Sequence, residues 1–274
     1  MSPTPPKRSL KFRSVFVSDV HLGFRGCSAN FLLDFLKSVD TEYLYLVGDI
    51  VDLWSLKKSF YWPQEHNNIL RLILSKAKRG TKVIYIPGNH DEVFREYAGH
   101  VFGNLEIQEE VIHTTADGRR LLVLHGDAFD SVIKCAPWLG HLGHHAYELI
   151  LKLNRYFNWA RKKLGFPYWS LAAYLKHKAK TAVTYIDRFE ETLAHEAKRR
   201  GVDGVVCGHI HHAQIIDVQG VQYMNCGDWV ESCTTLTEDF NGHMELLHWS
   251  ERQHVLPSSR TAVAVPDKPL EQAA

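Results

Sequence analysis

The feature that most constrains this chain is the way its short apolar runs end. Val15-Phe16-Val17 leads into Asp19-Val20-His21, Tyr43–Val47 into Gly48-Asp49, and Lys82–Ile86 into Gly88-Asn89-His90. Arg120–Leu124 leads into His125-Gly126-Asp127, and Gly204–Cys207 into Gly208-His209-Ile210-His211. Runs this short, apolar and rich in β-branched residues have the signature of buried strands. In an open α/β sheet the ligand site lies outside the carboxyl ends of the strands. Asp19, His21, Asp49, Asn89, His90, His125, His209 and His211 therefore have a structural reason to meet. An extended backbone through Asp19 and His21 would place both side chains on one side. Glycines beside four of these five strand ends allow close backbone approach.

Between the runs lie helical patterns. Apolar residues at 31, 32, 35, 36 and 39 predict a helix over Phe31–Val39, with Ser28 or Asn30 as its cap. A second helix is expected over Glu65–Arg79, closed by Gly80. Strand, polar loop, helix and strand in that order imply βαβ units around a largely parallel sheet, an α/β fold. Leu105–Thr115 and Arg120–Leu124 flank an Ala-Asp-Gly-Arg turn, so a hairpin and a mixed or second sheet are expected there. Gln214–Val218 and Gln222–Asn225 form another hairpin about Gln219-Gly220, and His243–Trp249 a last strand. Residues 130–200 differ, being rich in aromatic, leucine and basic residues, with long helices expected over Ala146–Leu164 and Trp169–Arg200. The expected organisation is a core of residues 12–129 and 201–249, a helical insertion at 130–200, and flexible tails at 1–11 and 250–274.

Composition narrows the partners. The formal charge is +1, so no global field favours nucleic acid, and none is expected as a partner. Five cysteines, odd in number and without a C-x-x-C pair, argue for free thiols in a reducing compartment. The basic, proline-rich start lacks the apolar stretch of a signal peptide, and no run is long enough to span a bilayer. A cytoplasmic protein is expected, with contact to a membrane from one side at most. Histidine stands out at 17, and imidazole is the commonest metal ligand.

With His90 set aside for chemistry, the strand ends offer two Asp, four His and one Asn. Seven N/O donors exceed one tetrahedral site and suit two divalent ions sharing a bridging carboxylate. Ion pairs about 3.5–4 Å apart are a recurring device for phosphate-ester cleavage, clamping phosphoryl oxygens and activating a water.

Asp19-x-His21, Gly48-Asp49-x-x-Asp52, Gly88-Asn89-His90-Asp91, His125-Gly126-Asp127 and Gly208-His209-x-His211 resemble, in order, the five signature blocks of the calcineurin-like metallophosphoesterases. The resemblance implies a four-layer αββα sandwich with a dinuclear centre at its loop edge. It implies that Asp19, His21, Asp49 and His211 hold one ion, and Asp49, Asn89, His125 and His209 the other. His90 would act as proton donor or transition-state electrophile, oriented by Asp91. Within the superfamily the chain is similar to the UDP-2,3-diacylglucosamine diphosphatases of lipid A synthesis. That similarity implies hydrolysis of UDP-2,3-diacylglucosamine to lipid X and UMP, usually with Mn²⁺, although Fe or Zn²⁺ suits the same donors. The best-known branch has Arg at the position of His90, and Thr-His-Arg-Pro where this chain has Ile210-His211-His212-Ala213.

Residues 130–200 read either as a structural side domain or as a lid over the site. As a lid, Trp138, Leu142, Tyr147, Leu153 and Phe157 would line an acyl pocket, while Lys152, Arg155, Arg161, Lys162 and Lys163 would face an anionic inner membrane. Lys178, Lys180 and Arg188 would contact the phosphates of a lipid-linked nucleotide sugar. The alternatives are a broader nucleotide or cyclic-nucleotide phosphodiesterase or phosphatase, and a catalytically silent scaffold of the same fold.

Overall fold

The computed structural model describes residues 9–130 and 171–252. The chain opens with β1 (Leu10–Val17), α1 (Ala29–Ser38), β2 (Val39–Val47), α2 (Leu53–Lys58), α3 (Gln64–Lys78) and β3 (Lys82–Ile86). Then come β4 (Val101–Phe102), β5 (Leu105–Ile107), β6 (Glu110–Thr114) and β7 (Arg120–Leu124). After the stretch 131–170 follow α4 (Leu171–Arg199), β8 (Gly204–Cys207), β9 (Gln214–Val218), β10 (Val221–Asn225), β11 (Thr234–Glu238), β12 (Met244–His248) and α5 (Trp249–Arg252).

Two sheets result. The first runs β12-β11-β1-β2-β3-β5-β4, and the second β6-β7-β8-β10-β9. The centre of each is parallel, β1-β2-β3-β5 in the first and β7-β8-β10 in the second. Parallel strands are buried on both faces, and these are. On β7, Leu121 and Val123 face the other sheet while Leu122 and Leu124 face outward, all four buried. Phe16 and Tyr45 of the first sheet stack at 4.6 Å and pack in one cluster with Val123, Val206 and Met224 of the second. Outside the first sheet, α1 and α3 bury Leu32, Phe35, Leu36, Ile69 and Ile73. Outside the second, α4 buries Phe189, Leu193, Ala194 and Ala197. The layers are helix, sheet, sheet, helix, as the family resemblance implied.

Three local expectations change. Leu105–Thr115 is not one strand: it breaks at Gln108-Glu109, where the chain leaves the first sheet after β5 and enters the second as β6. Only β6 and β7 form the hairpin. Ser28 occupies the cap position of α1, but its hydroxyl donates to the Val230 carbonyl at 3.1 Å instead of capping. The third change is an addition, β11, whose Thr-Thr-Leu-Thr-Glu carries no apolar alternation yet is wholly buried. Its hydroxyls are absorbed by backbone: Thr234 donates to Cys226 O at 2.9 Å and Thr235 to Phe16 O at 2.7 Å. Cys207, Cys226 and Cys233 are buried free thiols and Cys27 is half-buried; Cys135 lies outside the described residues. No helix among the described residues is long and apolar enough to cross a membrane.

At the amino ends of the parallel strands a buried polar knot joins the sheets. Glu238 of β11 accepts from Arg13 Nη1 at 2.8 Å, Ser14 Oγ at 2.5 Å and Ala116 N at 2.7 Å, and pairs with His113 Nε2 at 2.8 Å. His113 Nδ1 in turn meets the Tyr45 hydroxyl at 2.8 Å. Burial pushes the Glu238 carboxyl up, but His113 and Ser14 outweigh it and hold the group below its ordinary value near 4.5. Glu238→Gln is expected to destabilise the protein by about 2–3 kcal/mol at neutral pH. Because the folded-state value is depressed, the wild-type advantage is complete above the ordinary value and shrinks as pH falls through the depressed one. Urea midpoints of both proteins from neutral to acid pH check this, and a gap independent of pH would refute it.

Candidate metal centre

Past the ends of β1 and β2 the two chains continue side by side. Asp19 N donates to Gly48 O at 3.1 Å, Val20 N and His21 N to Asp49 O at 3.0 and 2.9 Å, and Leu22 N to Ile50 O at 2.9 Å. The backbone there is not extended. Asp19, His21 and Asp49 have φ of 51°, 55° and 54°, and His209 and His211 have 69° and 53°. Among the described non-glycine residues with positive φ, the only others are Gln219 and Cys233. A left-handed residue other than glycine costs about 1–2 kcal/mol, and such strain collects at functional sites. Asp19 and His21 thus converge through turn geometry, not through the strand alternation expected for them. At Gly48, with φ of 77°, any Cβ would strike the His125 ring; at Gly208 it would strike Asp19 Oδ2.

Asp91 holds the strained loops. Its buried carboxylate accepts from the backbone N–H of Gly88 at 2.6 Å, Ile50 at 2.8 Å, Val51 at 3.2 Å and Asp49 at 3.3 Å, and from the Tyr85 hydroxyl at 2.5 Å. Burial raises its pKa despite these donors. The expectation that Asp91 orients His90 is therefore corrected, because its oxygens are spent on the loops after β2 and β3. The carboxylate beside the His90 ring is Asp52, with Oδ1 3.0 Å from His90 Nδ1 and Oδ2 3.4 Å from His21 Nδ1. Asp52 is itself fixed as the cap of α2, accepting from Ser55 N at 2.7 Å. Trp54 lies against the other side of His90, ring centroids 4.2 Å apart.

The side chains converge on Asp49. Its Oδ2 lies 3.5 Å from His125 Nε2, 3.9 Å from His21 Nε2 and 4.0 Å from His90 Nε2, and its Oδ1 accepts from His90 N at 2.8 Å. His211 Nε2 is 3.1 Å from Asp19 Oδ1. Ligand-type atoms of Asp19, His21 and His211 lie within 4.8 Å of one another, and so do those of Asp19, Asp49 and His125. Those of His21, Asp49 and His90 form a third such group, so Asp19, His21 and Asp49 each belong to two of three overlapping sets. His125 is aimed by its Nδ1, 3.0 Å from Val47 O, which leaves Nε2 for the site. His209 is turned differently, its Nε2 2.9 Å from Asp130 Oδ2 and its ring edge-on to His125 at 5.2 Å.

The donors fit metal ions. Asp19 Oδ1, His21 Nε2, Asn89 Oδ1 and His125 Nε2 are buried and make no hydrogen bond, the state that buried polar groups avoid unless an ion satisfies them. The titration pattern agrees. Burial pushes the Asp49 carboxyl up, but His125 and His21 outweigh it and hold it well below the usual range. Burial likewise opposes charge on His125, which Asp49 and Asp19 nonetheless raise to about 10. His211 is raised to about 9, Asp19 outweighing burial. Carboxylates this deeply buried need adjacent positive charge, and divalent ions supply it.

Of the other expected contacts, Arg188 is exposed on α4, while the side chains of Lys178 and Lys180 lie outside the described residues. So do Trp138, Leu142, Tyr147, Lys152, Leu153, Arg155, Phe157, Arg161, Lys162 and Lys163. Sequence reasoning passed over Gly227-Asp228-Trp229. The backbone N–H of the buried Trp229 donates to Asp19 O at 3.0 Å, and Ser18 Oγ donates to Gly227 O at 2.9 Å, bracing the first loop. A strand ending in Gly-Asp, as at Gly48-Asp49, was the available signal.

Residues 12–213 match the family described as calcineurin-like phosphoesterases. The chain is similar to a DNA polymerase II small subunit of Methanothermobacter thermautotrophicus, 26% identical over 185 residues, covering 55% of this chain but only 37% of that protein. It is also similar to a UDP-2,3-diacylglucosamine hydrolase of Pseudomonas paraeruginosa, 24% identical over 247 residues, covering 84% of this chain and 97% of that one. Among solved structures, the phosphoesterase Yfce from E. coli aligns over 86% of this chain and 98% of its own, at 12% identity and a TM-score of 0.41, too low to bear on function.

Asp91→Asn would put an amide NH2 in place of one accepting oxygen and turn it toward two backbone donors, Asp49 and Gly88 at Oδ1 or Ile50 and Val51 at Oδ2. It is expected to cost roughly 2–4 kcal/mol and to weaken metal binding although Asp91 faces no ion. Denaturant unfolding together with metal content after dialysis measures both, and normal metal retention would show that the staple is dispensable.

Proposed function

The chain belongs to the calcineurin-like phosphoesterase family, and we propose that it hydrolyses the diphosphate of UDP-2,3-diacylglucosamine to lipid X (2,3-diacylglucosamine 1-phosphate) and UMP. The observation that carries the hydrolase is the set of buried, unpartnered donors on three converging loops, from Asp19, His21, Asn89 and His125. The lipid substrate is supported by a hydrolase relative that the chain matches along nearly its whole length, where the polymerase subunit is matched over a minor part.

In this reading Asp19, His21, Asp49 and His211 hold one ion and Asp49, Asn89, His125 and His209 the other, with Mn²⁺ as the working metal in both. When bound, the two ions clamp the phosphoryl oxygens and activate the attacking water. The protein's own residues do the rest. His90, partly exposed between Asp52 and Trp54, presents its imidazole to the scissile phosphate as proton donor to the leaving oxygen. Asp52 keeps the ring in place, and the buried Asp49 keeps its two oxygens at the centre of the cluster. Residues 130–200, with Lys178, Lys180 and Arg188, would receive the nucleotide sugar and its acyl chains. A substrate anchored in lipid would bring the protein to the cytoplasmic face of the inner membrane as a peripheral partner.

Purified protein with Mn²⁺ is expected to convert UDP-2,3-diacylglucosamine to lipid X and UMP, read by product mass. If it cleaves a nitrophenyl phosphodiester but not this substrate, the lipid assignment falls and the broader phosphodiesterase remains. Asp49→Ala is expected to abolish turnover and weaken both ions. His90→Asn is expected to slow turnover by about 10²–10⁴-fold with metal retained. Loss of metal in that variant would make His90 a ligand instead.

A further inference from the structure

The His209–Asp130 pair has no place in the chemistry above, yet it is one of the better-built contacts at the site. The His209 ring is held on three sides. Its edge meets His125 at 5.2 Å, the Phe189 ring lies 6.0 Å away, and Nε2 is 2.9 Å from Asp130 Oδ2. Asp130 is held in turn, its Oδ1 accepting from the Tyr185 hydroxyl at 2.6 Å. A carboxylate facing Nε2 accepts a hydrogen bond from its N–H, and the neutral imidazole with Nε2–H offers only Nδ1 as a lone-pair donor.

We propose that Asp130, steadied by Tyr185, is a positioning residue that fixes His209 as its Nε2–H tautomer and so selects Nδ1 as the atom His209 gives to an ion. His125 is aimed in the opposite sense: its Nδ1 is occupied by Val47 O and its Nε2 faces the site. On this proposal two adjacent imidazoles would give different nitrogens to ions, each set by the partner of its other nitrogen. Carboxylate–histidine pairs of this kind raise ligand basicity, and their loss typically costs about 10–100-fold in metal affinity. The alternative is an ordinary surface ion pair, since Asp130 is 46% exposed; such a pair would be worth under about 1 kcal/mol and would leave ion binding untouched. In the chain, Asp130 and Tyr185 stand on either side of residues 131–170, so the clasp joins both flanks of that segment to the metal centre.

The inference rests on the two-ion reading, and its test needs no substrate. Mn²⁺ is titrated into the metal-stripped full chain by calorimetry, and the imidazole ¹⁵N shifts of the metal-free protein report the tautomer of His209. Wild type is expected to bind two ions and to show Nε2–H at His209. Asp130→Ala should bind one ion about 10–100-fold more weakly, keep the other, and show a mixed tautomer. Asp130→Asn retains an oxygen that accepts from Nε2 and should recover most of that affinity. Tyr185→Phe should move affinity the same way by less. Because Asp130 is half-exposed, these variants leave no buried cavity, and unchanged melting curves will confirm it. Unaltered affinity for both ions in Asp130→Ala would overturn the proposal. So would an Asp130→Asn variant as impaired as Asp130→Ala, which would make the carboxylate itself a ligand. Failure of wild type to bind two ions would instead overturn the two-ion reading.

Discussion

One buried carboxylate ties together two of the loops on which the site is built. Asp91 gathers four backbone N–H groups from the turns after β2 and β3, and those turns contain Asp49 and Asn89. Left-handed backbone at Asp19, His21 and Asp49 would relax if these turns were free, because each residue sits about 1–2 kcal/mol above its extended alternative. The carboxylate and the inter-loop hydrogen bonds from Asp19 to Leu22 offset that cost. The strain thus buys orientation, with Asp19 and His21 turned inward beside the Asp49 carboxylate.

Charge is distributed along the strands with the same economy. At the amino ends Glu238 is buried and its charge is met from within the protein, by Arg13, Ser14, His113 and the Ala116 amide. At the carboxyl ends the carboxylates of Asp19 and Asp49 face imidazoles whose nitrogens point at a common space without hydrogen-bond alignment. One end satisfies itself; the other is built to be satisfied by cations. Between them lies the dry layer of Phe16, Tyr45, Val123, Val206 and Met224, which keeps the two polar regions apart and the sheets in register.

Much of this was legible from residue order. The parallel strands, the helices α1 and α3, the second hairpin and the convergence of Asp19, His21, Asp49, His125 and His211 all follow from apolar runs with polar ends. What escaped did so for identifiable reasons. Strand β11 is threonine and glutamate, and its burial makes sense only once Phe16 O and Cys226 O are present to accept its hydroxyls. The break at Gln108-Glu109 depends on which sheet each side joins, a long-range choice with no local signal. Asp52 entered only as the end of the Gly48-Asp49-x-x-Asp52 block; it caps α2, and its place beside His90 requires the β3 loop to arrive from 38 residues away.

The sequence by itself determined most strands and helices and the donor set, because hydrophobic period and residue chemistry are local and survive without knowledge of contacts. Only the tertiary structure decided the assignments among equals. Asp52 and not Asp91 stands beside His90, Asp91 binds backbone, and His209 turns its Nε2 to Asp130 while His125 turns its own to Asp49. Carboxylates are chemically interchangeable in a sequence. Which one meets which imidazole is settled by loops that approach from different strands, and by the strained backbone that holds them there.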